Sequence, residues 1–104
     1  MYSKINVIVK EPGKQPYQRM IENTSAALRE LVGGHLESCT VEADMVIICN
    51  EEGRLLNLPH NCEYCGVDFV GTIVLCGFHG EYLTDFPLSI ETFRELAPTL
   101  FGES

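Results

Sequence analysis

The chain has no apolar run long enough to cross a bilayer. Its longest, Met45–Cys49 and the stretch around Thr72–Cys76, are strand-sized. The start, Met1-Tyr2-Ser3-Lys4, passes straight into an alternating pattern and lacks the apolar core and small-residue cleavage site of a signal peptide. These absences lead to the expectation of a cytoplasmic protein without membrane attachment. Basic residues are also scarce. Seven Lys and Arg face fifteen Asp and Glu, for a net charge of −8. Such a surface repels phosphate, which disfavours direct binding to nucleic acid or to an anionic membrane. The phosphate-loop, dinucleotide, zinc-protease and nucleophile-elbow signatures are all missing. The expectation is a non-enzymatic protein with no cofactor.

What is present fits one domain over residues 1–104, with 45% apolar residues. The charge is unevenly spread. Residues 1–30 carry five basic and three acidic groups, or +2, and residues 31–104 carry two basic and twelve acidic groups, or −10. An acidic region of this kind either keeps the protein soluble or docks on a basic partner. Glu42, Asp44, Glu51 and Glu52 are the candidate partner-binding residues.

Residues 4–10 alternate, with Ile5, Val7 and Val9 on one side, and predict a strand with a buried face. Glu11-Pro12-Gly13-Lys14 is a turn, and residues 17–22 a second strand. Asn23, Thr24 or Ser25 caps a helix whose stripe is Ala27, Leu28, Leu31 and Val32, and Gly33-Gly34 stops it. Leu36–Glu42 and Met45–Asn50 read as strands. A hairpin-type connection, with Gly53 left-handed, then leads into a strand over Arg54–Leu58. Val67–Cys76 reads as one long central strand, and Glu81–Thr84 is a candidate for a further short one outside the strand order below. Ser89 caps a last helix that sets Ile90, Phe93, Leu96 and Ala97 against the core. The predicted class is α+β, a mostly antiparallel sheet of about five to six strands with two short helices, in the order ββαββββα. An apolar edge strand would permit a homodimer.

The most chemical-looking stretch is Leu58–Gly80. Cys62, Cys65, Cys76 and His79 have the pairwise spacing of a Cys₃His zinc site, with His60 as a substitute ligand. Geometry opposes it. A single strand between the two pairs would hold them roughly 30 Å apart, so the site forms only if the chain reverses near Gly71. A redox Cys-x-x-Cys needs a helix after it to lower the thiol pKa, and a strand pattern follows here. Five cysteines cannot all pair, and a cytosol keeps them as thiols. Cys49 and Cys76 end apolar runs, as small buried hydrophobes do. A third possibility is a small-ligand pocket lined by the Leu58-Pro-His-Asn61 loop.

The turns come in a recognisable series: Glu11-Pro12-Gly13, Ile21-Glu-Asn23, Val32-Gly33-Gly34, Asn50-Glu51-Glu52-Gly53-Arg-Leu55, Leu58-Pro59-His-Asn61 and Gly71-Thr72. The series resembles domain of unknown function 3846, a family of small proteins common in phages, plasmids and other mobile elements. The resemblance covers roughly residues 8–75, and the paired cysteines are not part of its pattern. It implies a context and no activity. Small acidic proteins of mobile elements often act by binding a host protein, as anti-defence inhibitors such as anti-CRISPR proteins do. A host protein with a basic surface is the partner it suggests.

Overall fold

The fold is built around β1 (Lys4–Lys10), whose alternation feeds both sides of a sheet. Ile5, Val7 and Val9 enter one core cluster and Ile8 the other. This computed structural model describes residues 3–42 and 44–102, and Met1-Tyr2, read above for a leader, lie outside them. β1 pairs antiparallel with β2 (Tyr17–Glu22). α1 (Ser25–Val32) follows, capped by Thr24, whose Oγ1 accepts the Ala27 N–H at 3.1 Å. Gly33, at φ 81°, ends it. β3 (Leu36–Glu42) and β4 (Met45–Asn50) form a second antiparallel pair.

Arg54–Leu58 is not a strand. Local hydrogen bonds from Leu56 to Glu52 and from Leu58 to Gly53 coil it into turns, and Asn57 takes the left-handed φ of 54°. Gly53 does not take it, and is needed instead for space, since a Cβ there would meet Val70 at 2.9 Å. The strand falls after Pro59, as β5 (His60–Tyr64). Val67–Cys76 is also not one strand. Gly71, at φ 72°, breaks it into β6 (Val67–Val70) and β7 (Ile73–His79). β6 pairs with β5 in a separate two-stranded ladder, and only β7 enters the main sheet.

β8 (Tyr82–Thr84) pairs with β7, and α2 (Ile90–Leu96) and a 3₁₀ turn (Pro98–Phe101) close the described chain. The main sheet has the order β2-β1-β7-β4-β3, with β8 beside β7, and all its pairings are antiparallel. The order of elements is thus ββαββββββα, two strands more than the sequence suggested. The class is α+β, with two helices on an antiparallel sheet of about six strands.

The sheet separates two apolar layers. α1 lays Leu28 and Val32 over Ile5, Val7, Val46, Val74 and Cys76. On the other face, the β5–β6 hairpin, α2 and the 3₁₀ turn bury Ile8, Ile47, Leu75, Phe86, Phe93 and Phe101. Among the described residues no helix is long and apolar enough to cross a membrane.

Candidate functional site

The four candidate acids do not form one patch. Glu42 and Asp44 flank the β3–β4 turn, while Glu51 and Glu52 follow the far end of β4. The strand between them spans five steps, roughly 17 Å. All four are exposed. Glu51 and Glu52 are held by the backbone, through N–H bonds to the His35 carbonyl and to Asn50 Oδ1, both at 2.8 Å.

Glu42 and Asp44 have a more specific setting. They rim a cleft of about 480 Å³ whose walls are Met45, Tyr64, Leu88, Phe93 and Leu96. Phe93 is the floor and 1% exposed. It stands edge-on to Tyr64, Phe86 and Phe101, with centroids 6.1, 5.0 and 5.9 Å away. Burial raises the Tyr64 pKa, with Cys65 and Glu42 adding to it, so the phenol stays neutral. Leu96 was expected in the core, yet it is 69% exposed. Ala97 takes the core position, and consecutive helical residues point about 100° apart. That offset was the signal available in the sequence.

The sheet holds Cys76 apart from Cys62. Cys76 lies in the α1-side core, whereas Cys62 packs against the opposite cluster. Cys65 is exposed in the β5–β6 turn, where it takes a φ of 52° and Gly66 one of 77°. Positive φ at both central residues is the two-residue hairpin turn that fits strand twist. The Cys-x-x-Cys spacing therefore records a hairpin. The chain does turn at Gly71, but the turn sends Cys76 to the other side of the sheet. Among the described residues no group of three or more His, Cys, Asp or Glu is placed to hold a metal. His60 instead meets Asp68 across the hairpin, Nε2 to Oδ1 at 2.6 Å.

Burial pushes the Cys76 thiol up to about 12 and the Cys49 thiol up to about 11, the latter aided by Glu37 and Cys39. Burial also raises Cys62, and Lys10 partly offsets it. Thiols alkylate as thiolates. Brief iodoacetamide treatment of the native protein at pH 8 should label Cys65 and leave Cys49 and Cys76 intact, by peptide mass spectrometry. Equal labelling of all three would contradict the burial described.

Residues 5–97 match the model of a family described as domain of unknown function DUF3846. The chain belongs to this family. The match spans both halves of the main sheet and reaches Ala97 at the end of α2, so it includes every wall of the Glu42–Asp44 cleft. No curated protein and no solved structure matches the chain.

Proposed function

We propose that this DUF3846 protein is a non-enzymatic binding module that engages a basic protein through the Glu42–Asp44 cleft. One observation carries the reading: two exposed carboxylates stand over an apolar cleft with Leu96 open at its rim. A Lys or Arg side chain suits that arrangement, its stem against apolar walls and its head beside the acids. Sheet order supports it. In the main sheet the β1–β2 pair lies on one side of β7, and the β3–β4 pair, with Glu42 and Asp44 at its turn, lies on the other. In the mobile-element setting that the turn series implies, the partner would be a host defence protein, for instance a nuclease whose basic channel this face enters.

The test is affinity capture from the host cell at low and high salt, followed by reconstitution with the purified partner. Glu42→Lys with Asp44→Lys should weaken binding by about tenfold or more, or ~1.4 kcal/mol. The same reversal at Glu51 and Glu52 should matter much less, and Leu96→Ala should weaken binding with an unchanged melting temperature. Binding indifferent to salt and to the Glu42 and Asp44 reversals would remove the proposal.

A further inference from the structure

β1 ends in a buried lysine. Lys10 is 6% exposed. Its Nζ donates to the Glu11 carbonyl oxygen at 3.0 Å, and among the described residues it has no ion-pair partner. An ammonium has three donors to place, and burying one without a counter-charge is strongly unfavourable.

An unsatisfied acceptor sits beside it. Asn61 Nδ2 donates to the carbonyls of Lys10 at 2.8 Å and Gly71 at 2.7 Å. These two bonds fix the amide, because a flip would set its oxygen against two carbonyl oxygens. Asn61 Oδ1 is then buried with no partner. Buried acceptors are satisfied in most native structures, so an orphan calls for a partner.

Lys10 and Asn61 line one cleft of about 320 Å³, together with Lys14, Gln15, Cys62 and Phe101. Among the described residues no Asp or Glu lines it, although the chain carries −8 overall. Among the described residues, Lys14 approaches a carboxylate only outside the cleft, at Glu11 Oε1, 3.7 Å away in a solvent-exposed pair. The volume sits at the small end of ligand pockets, which begin at about 300 Å³.

We propose that this cleft binds a small oxyanion that carries its own hydrogen-bond donor, such as a hydroxy-carboxylate or hydrogen phosphate. The anionic oxygens pair with Lys10 and Lys14, and the donor satisfies Asn61 Oδ1. A plain anion would meet the charge and leave the amide oxygen unpaired. The site shares no lining residue with the Glu42–Asp44 cleft, and it stands or falls independently of the basic partner.

Calorimetric titration of the full chain at neutral pH with glycolate against acetate, and phosphate against sulfate, tests it. In at least one pair the donor-bearing anion should bind about tenfold tighter or better, and the winning pair identifies carboxylate or phosphate. Lys10→Met should abolish that binding while melting no lower than the parent, since methionine keeps the apolar stem and removes the buried charge. The bound anion should also slow alkylation of Cys62 and leave Cys65 unchanged. No binding by any of the four, equal binding within both pairs, or parental affinity in a folded Lys10→Met protein would overturn the proposal. Should that variant fail to fold, the protection of Cys62 in the parent decides.

Discussion

Gly77→Ala should destabilise the protein by about 3 kcal/mol or more, beyond the range of ordinary surface substitutions. Gly77 lies on β7 where β8 pairs with it and the chain turns past Asp85. A Cβ there would stand 2.0 Å from the Asp85 carbonyl oxygen and 2.5 Å from Thr84 Oγ1. The first obstacle is backbone and cannot rotate away. That backbone is held, because Asp85 Oδ1 accepts the Asn6 N–H at 2.7 Å and Phe86 N–H donates to the Asn6 carbonyl at 2.8 Å. Relief of the clash must therefore pull β8 from β7 or disturb β1. The melting temperature should fall by roughly 12 °C or more. Gly53→Ala is the matched control. Its new Cβ would meet a Val70 methyl at 2.9 Å, a side-chain clash milder than the 2.0 Å approach to backbone at Gly77. Comparable urea midpoints for the two variants would contradict the described β7–β8 junction.

Phe93→Ala should cost about 3–5 kcal/mol, the range for truncating a buried aromatic. Phe93 is the hub of three edge-on ring contacts, so its loss removes packing for Tyr64, Phe86 and Phe101 together. Against a total stability of about 5–15 kcal/mol, that is enough to leave a substantial unfolded fraction. Phe93→Leu keeps most of the buried area and loses mainly the ring geometry, worth about 1 kcal/mol per contact. Urea unfolding should thus rank Phe93→Ala below Phe93→Leu, with Leu96→Ala close to the parent. An alanine variant as stable as the leucine variant would mean that the three rings repack without their hub.

The fold was legible where one residue dominates locally. The alternation of Ile5, Val7 and Val9, the Thr24 and Ser89 caps and the stop at Gly33 all stand as the sequence suggested. Legibility failed between Gly53 and Thr72. Arg54–Leu58 has apolar residues at strand spacing, but Leu55 and Leu56 are exposed in turns, and no local rule records that nothing packs on them. His60–Tyr64 is too polar to read as a strand, because it pairs only with β6 and half-covers a core built by other elements. The break at Gly71 depends on Leu58, against which a Cβ would come within 2.7 Å, and that contact is tertiary. For the sites, the charge asymmetry was visible, but its division into two ends of β4 was not. Lys10 read as the outward residue of a strand, and its burial comes from chain distant in sequence.

The position of β7 governs the order in which the molecule can assemble. The β1–β2 and β3–β4 hairpins close between neighbouring residues, and neither touches the other in the ladder. Val74 sits between Val9 and Ile48, so the strand that joins the hairpins is made after both. A chain made only as far as Asn50 lacks the strand that pairs with the inner edges of β1 and β4. Long-range joining of this kind is slow, and open strand edges invite pairing with other chains. The interval between the synthesis of Asn50 and of His79 is therefore when this protein is most exposed to aggregation. A message that stalls or ends in that interval yields a product that cannot protect itself.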